Sequence, residues 1–200
     1  MIGVRDKIKF HRECAGRVIW LTGLSGSGKT TIAKAIHKQL DDFFYHSFVL
    51  DGDIVRDGLS KDLNFSKENR AENIRRIAEV AKLFADSGVI VTVAFISPYE
   101  EDRALARQII GEERFYEVFL NCPLKVCEER DVKGLYYKAR QGLIKNFTGV
   151  SDPYEKPKYS NLSLETHVLT LQECVDKVFK LISKKEKPWS GLKYLTHFVI

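Results

Sequence analysis

Cysteine is scarce and poorly placed for cross-linking. The four residues, Cys14, Cys122, Cys127 and Cys174, fall at irregular spacings with no C-x-x-C pair. That excludes a disulfide framework and a zinc site and makes a reducing compartment the simpler expectation. No apolar run reaches membrane-spanning length, and Met1 to Phe10 alternate charges with single apolar residues instead of forming the core of a signal peptide. A soluble, cytoplasmic protein without membrane contact is expected. Charge of one sign is not in large excess: 30% of residues are charged and the net charge is +5, too mild for a nucleic-acid-binding tail but suited to a small anionic substrate. Internal repeats and low-complexity tracts are absent. With 200 residues and 44% apolar content, the chain is expected to form one domain over residues 1–200.

What is there is an alternation of apolar strands and helical stripes. Val18-Ile19-Trp20-Leu21 leads into a Gly-rich turn, and Ile32, Ala35, Ile36 and Leu40 then recur at helical spacing. Phe48-Val49-Leu50 stops at Asp51-Gly52-Asp53. A long helix is predicted from about Ser66 to Ser87, with Ile74, Ile77, Ala81 and Phe84 as its stripe and Gly88 closing it. Val89 to Phe95 is apolar or β-branched on nearly every residue, as in a strand covered on both faces, and is taken as the middle of the sheet. Glu117 to Leu120, a helix opening at Pro123, a short strand at Leu162 and Leu164, and a helix from Leu171 to Ile182 capped by Thr170 and Glu173 complete the pattern. The expected fold is therefore α/β, a three-layer arrangement with a mainly parallel central sheet flanked by helices. Its core spans about 17–183. The segment of about 130–158 carries charges, glycines and aromatics but no strand pattern, and reads as a mobile lid. Residues 184–200 form a tail without an assigned role.

Gly23-Leu24-Ser25-Gly26-Ser27-Gly28-Lys29-Thr30 follows a predicted strand and opens a predicted helix. In that setting glycines let backbone N–H groups surround phosphates, the lysine reaches the β and γ oxygens, and the threonine hydroxyl binds Mg²⁺. Thr31 is a first-turn residue that also approaches phosphate. The motif points to the P-loop superfamily and to ATP. A guanine-reading N/T-K-x-D string is missing, which removes the GTPases, and a small-molecule kinase remains. Asp53, just beyond the second strand, can bind Mg²⁺ through water, accept the proton of an attacking hydroxyl, or cap the short helix from Ile54 to Leu59. Asp51 reads as structural, closing the strand or holding water on the metal. Arg56, Arg70, Arg75 and Arg76 offer guanidiniums near the cleft mouth, and Phe65 either staples a helix start or stacks on a base.

The chain resembles the adenylylsulfate (APS) kinases over about Val18 to Ile182. The matching segments are Trp20 to Thr31, Leu50-Asp-Gly-Asp53, Asn64-Phe-Ser66, Arg70 with Glu72 to Asp86, Phe95-Ile-Ser-Pro-Tyr99, Arg130 to Tyr136 and Ile144 to Gly149. Members of that family move the γ-phosphate of ATP to the 3′-hydroxyl of adenosine 5′-phosphosulfate. The resemblance implies that Asp53 faces that hydroxyl, that Arg56 and Arg70 bind the phosphosulfate and ribose side, and that Phe65 and Phe147 sandwich adenine. It also places Asn73, Ile96, Ser97 and Asn146 at the substrate, Lys133 and Leu135 in the lid, and Arg130 beside the ATP adenine. Ser97 stands where bacterial members are described as carrying a phosphoserine; with no base beside it in sequence, it is read as a substrate contact in a direct transfer. Two positions depart from the family pattern: Ile54 replaces an asparagine and Tyr137 a lysine. Another 5′-substituted nucleotide as acceptor, or an inactive regulatory module, are the competing readings. A homodimer and a functional partnership with ATP sulfurylase are further implications.

Overall fold

The computed structural model describes residues 15–183. Its centre is a five-stranded parallel sheet built from β1 (Arg17–Thr22), β2 (Ser47–Asp51), β3 (Ile90–Ala94), β4 (Phe115–Leu120) and β5 (Leu162–Leu164), in the order β2-β3-β1-β4-β5. The middle strand is therefore β1, paired through Ile19 with Thr92 on one side and Tyr116 on the other. The expectation that Val89 to Phe95 forms the middle is corrected by one place. Continuous apolarity reports coverage on both faces, which β1 and β3 share, and does not report rank within the sheet.

Side chains alternate across β1 as a strand requires. Ile19 and Leu21 join α1 (Lys29–Asp42) and α7 (Leu171–Ser183) in one buried cluster; Val18 and Trp20 join α3 (Lys67–Asp86) and α4 (Glu100–Ile110) in the other. Each large side chain so buried contributes about 1.5–3 kcal/mol. The Trp20 ring lies 5.6 Å from that of Phe115 and 6.5 Å from that of Phe95.

Local capping sets the helix boundaries. Ser66 accepts from Asn69 N at 3.3 Å to start α3, and Thr170 and Glu173 cap α7 reciprocally at 3.3 and 2.8 Å. The short helix after β2 is α2 (Gly52–Asp57), capped by Asp51 and not by Asp53: Asp51 Oδ1 accepts from Asp53 N at 3.0 Å. Beyond α5 (Leu124–Arg130), part of the expected lid is helical, as α6 (Leu135–Arg140). The two Asp131 carboxylate oxygens accept from Tyr136 N and Tyr137 N at 3.0 and 2.9 Å. Only Tyr136 and Ala139 of α6 are buried, too few for a helical stripe to show in the sequence. Cys122, Cys127 and Cys174 are free and buried, while Cys14 and the tail 184–200 lie outside the described residues. Among those described, no helix is long and apolar enough to cross a membrane.

Candidate active site

The parallel topology brings the carboxyl ends of β1, β2 and β3 to one edge, where α/β sheets bind ligands. From the end of β1 the chain turns through Gly23 to Gly28 before α1. Gly26 has φ 74°, and a Cβ there would lie 2.9 Å from Cys127 O; Gly28, at φ 98°, caps α1. Three successive loop carbonyls are drawn to donors outside the loop. Ser25 O accepts from Tyr136 Oη at 3.0 Å, Gly26 O from Arg130 at 3.2 Å and Ser27 O from Thr166 Oγ1 at 2.8 Å. Oxygens held that way are kept from repelling a phosphate.

Lys29 is buried and donates to Gly23 O at 2.9 Å and Leu24 O at 2.7 Å. Removal from water lowers its pKa from 10.5 to about 8, outweighing the Asp53 and Asp51 carboxylates nearby. Thr30 Oγ1 donates to Asp51 Oδ2 at 2.7 Å, so one buried carboxylate orients the threonine and starts α2. Asp53 projects from the first turn of α2, largely exposed, and pairs with Lys133 from the lid.

Elsewhere, Arg56 and Arg70 flank the half-exposed Phe65 ring, their guanidinium carbons 4.3 and 5.5 Å from its centroid. Burial depresses both arginine pKa values, with mutual repulsion adding at Arg56. Arg70 is itself buried and bound on all sides: Nε donates to Phe65 O at 3.0 Å, one terminal nitrogen to Thr148 Oγ1 at 3.0 Å and the other to Asn146 O, with Asp152 3.9 Å away.

The fold thus carries a Gly-rich loop closed by a buried lysine and, separately, an aromatic ring flanked by two arginines. The adenylylsulphate kinase profile matches residues 15–165. The chain belongs to the adenylylsulphate kinase family. It is 52% identical over 169 residues to the adenylyl-sulfate kinase of Clostridium acetobutylicum, covering 84% of each chain. It is 53% identical over 181 residues to that of Pseudomonas entomophila, covering 90% of this chain and 86% of the relative. The Mycobacterium tuberculosis APS kinase in complex with AMPPNP and APS superposes with a TM-score of 0.81 at 45% identity, over 84% of this chain and 98% of that one. A hexameric APS kinase from Thiobacillus denitrificans matches at 31% identity and a TM-score of 0.64, over 86% of this chain and 29% of that one. A sugar kinase from Janibacter, at 18% identity and a TM-score of 0.59, shares the fold alone.

Within this adenylylsulphate kinase family member the residues singled out from sequence fall into two groups and several separate positions. Gly23 to Thr30, Arg130, Asp51, Asp53 and Lys133 gather around the phosphate loop; Thr31 is exposed on α1. Arg56, Phe65, Arg70 and Asn146 meet in a second group. Asn146 joins through its backbone carbonyl and stands at φ 55°. Phe147 packs partly buried, edge-on to Tyr136 with centroids 5.0 Å apart. Leu135 opens α6. Asn73 is buried on α3 with its Oδ1 unpartnered.

Ser97 is also buried, at 2% exposure; its Oγ accepts from Trp20 Nε1 at 3.1 Å and lies 3.5 Å from Phe95 O. Its φ of 40° is strained for a residue before proline, a conformation costing on the order of 1–3 kcal/mol that its neighbours must hold. Ile96 contributes its carbonyl, which accepts from Thr22 Oγ1 at 2.7 Å and Gly23 N at 3.4 Å.

Arg75 and Arg76 do not join the cluster expected at the cleft mouth. Arg75 pairs with Glu72 and Glu79, and Arg76 with Asp62 and Glu72; their hydrogen bonds hold the Glu72 carboxyl down at about 2. Sequence reasoning missed Arg103, Tyr154 and the role of Thr22. A single arginine on an amphipathic helix carries no sign that it is buried.

Proposed function

We propose that this adenylyl-sulfate kinase transfers the γ-phosphate of ATP to the 3′-hydroxyl of adenosine 5′-phosphosulfate, giving 3′-phosphoadenylyl sulfate and ADP. The carrying observation is Asp53, two residues beyond β2: its backbone N–H donates to the same Asp51 carboxylate that accepts from Thr30 of the phosphate loop, and its own carboxylate pairs with Lys133 of the lid. The bond between the 3′-oxygen and phosphorus forms as the bond from the γ-phosphorus to the β–γ bridging oxygen breaks, and Asp53 accepts the hydroxyl proton. Lys29, buried in the loop, supplies positive charge to the triphosphate, while the arginines and Phe65 suit a phosphosulfate and a purine. The complex of a relative at 45% identity with AMPPNP and APS supports the same pair of ligands here.

Mg²⁺ fits the donor set. The Thr30 hydroxyl and Asp51 carboxylate are hard oxygens at 2.7 Å, and Asp53 follows two residues later. Among the described residues no group of three or more His, Cys, Asp and Glu is arranged to hold a metal. One or two protein oxygens completed by substrate phosphates is the usual Mg²⁺ arrangement. When bound, the ion would neutralise charge on the phosphate oxygens.

Direct in-line transfer is favoured over a phosphoserine intermediate, because the Ser97 hydroxyl is buried against Trp20 and no basic side chain is among its hydrogen-bond partners. Arg130 joins the ATP side through its bond to Gly26 O. A cytoplasmic location agrees with the three free thiols among the described residues. A homodimer is the assembly the family resemblance supports, against the hexamer of the Thiobacillus relative, and an ATP sulfurylase would be the functional partner supplying APS.

The deciding experiment incubates purified protein with Mg-ATP and APS and scores 3′-phosphorylated product. No product, or faster phosphorylation of a cytidine-based anhydride, overturns this reading. Sedimentation of the same sample reports the assembly.

A further inference from the structure

We propose that Arg103, which lies behind the cleft, is a positioning residue for the acceptor nucleotide: it anchors the segment from Thr148 to Glu155 as a fixed wall against which Arg70 is set. The proposal rests on the acceptor reading given above.

The Arg103 side chain is 2% exposed, and its guanidinium joins three separate segments. One terminal nitrogen donates to Ser97 O at 2.7 Å, the other to Glu155 O at 2.8 Å, and Nε pairs with Glu117 Oε1 at 3.0 Å. Neutralising Glu117 alone would need only the last contact, and Arg107 already holds the other Glu117 oxygen at 2.9 Å. The two remaining contacts reach the strained turn after β3 and Glu155, near the end of the segment read from sequence as the lid.

From Glu155 the restraint runs toward the cleft. Glu155 N donates to Pro98 O at 2.8 Å, and its carboxylate accepts from Glu100 N at 2.8 Å. The Tyr154 ring lies 5.9 Å from the Arg103 guanidinium carbon, and its hydroxyl shares a 2.8 Å hydrogen bond with Thr22 Oγ1. Asp152 bridges Thr148, and both meet Arg70, at 3.9 and 3.0 Å. A linked set of polar contacts that starts from the buried Arg103 and ends on the buried Arg70 is rigid when complete and loose when broken. The lid as read from sequence therefore divides: 148–155 is clamped, and movement is left to the part before it, which carries Lys133. Lysine cannot replace the fork, because one ammonium cannot span three acceptors in different directions.

Arg103→Lys is the test. A cavity lined in part by Arg103, Arg107 and Lys158 gives a lysine ammonium a route toward water, which favours a folded variant. The expected result is a KM for APS raised about tenfold, as for a wall displaced by under 1 Å, with KM for ATP within about twofold and faster amide hydrogen exchange in 148–155 but not in β1 or β4. Tyr154→Phe, which removes one hydroxyl, should move the same readouts in the same direction and decides the matter if Arg103→Lys does not fold. Folded variants with unchanged KM for APS and unchanged exchange overturn the proposal, as does an equal rise in both KM values. Wild-type protein inactive on APS defeats the functional reading instead, while the exchange measurement still tests the clamp.

Discussion

Lys29 carries a conflict that can be measured. Its ammonium is buried in the phosphate loop before any phosphate arrives, which lowers its pKa from 10.5 to about 8. A drop of about 2.5 pH at about 1.4 kcal/mol each amounts to roughly 3 kcal/mol of folding free energy. In the unfolded chain the lysine keeps its ordinary pKa. Between pH 8 and 10.5 the unfolded form thus holds the extra proton, and stability from this group rises with pH; below pH 8 both forms are charged and the whole penalty is felt. Replacing Lys29 with methionine removes the penalty. Lys29→Met should therefore be more stable than wild type at pH 7 in urea denaturation, by up to roughly 3 kcal/mol less the hydrogen bonds lost at Gly23 O and Leu24 O. That advantage should shrink toward pH 10.5. The same ionisation governs function: kcat/KM for ATP, which reports the free enzyme, should fall above about pH 8. The limb in kcat should lie higher, since bound triphosphate favours the charged form. A stability difference independent of pH between 7 and 10.5 would refute the reasoning.

Asp53→Asn should lower kcat by about 10²–10⁴-fold, the usual contribution of a positioned base, with ATP affinity by calorimetry little changed; unimpaired turnover would remove Asp53 from its assigned role. Gly26→Ala should weaken ATP binding about tenfold more than Gly28→Ala. Both positions have positive φ, but only at Gly26 does the added Cβ meet a carbonyl, 2.9 Å away, so the excess is about 1.4 kcal/mol. Arg70→Lys should cost about 3 kcal/mol of stability in urea denaturation, because the ammonium can keep only one of three charge-assisted hydrogen bonds and the other two, at about 1.5 kcal/mol each, are lost. Arg56→Lys, whose contacts are 3.3 and 3.4 Å bonds at the surface, should cost under about 1 kcal/mol. Asp102 is buried with one oxygen unpartnered, and burial raises its pKa to about 6. The unfolded carboxyl ionises first, so Asp102→Asn should gain stability over wild type as pH rises from 4 to 6, read as a widening gap between melting temperatures.

The amino-acid sequence alone settled whatever depends on neighbours along the chain. Gly23 to Thr30 is legible as a P-loop because its glycines, its lysine and the start of α1 lie within one turn and one loop. Strand and helix periodicity likewise sufficed for the parallel α/β fold, and the Thr170–Glu173 cap for the start of α7. Tertiary structure alone decided what depends on packing between distant segments. It put β1 in the middle of the sheet, gave the cap of α2 to Asp51, turned the Ser97 hydroxyl toward Trp20, and tied Arg75 and Arg76 to carboxylates away from the cleft. It also buried Arg103, a residue that reads in sequence like any surface charge on a helix. The physical reason is the same each time: residue type states what a side chain can bond, but only the approach of other segments selects which partners are within reach and which groups lose water.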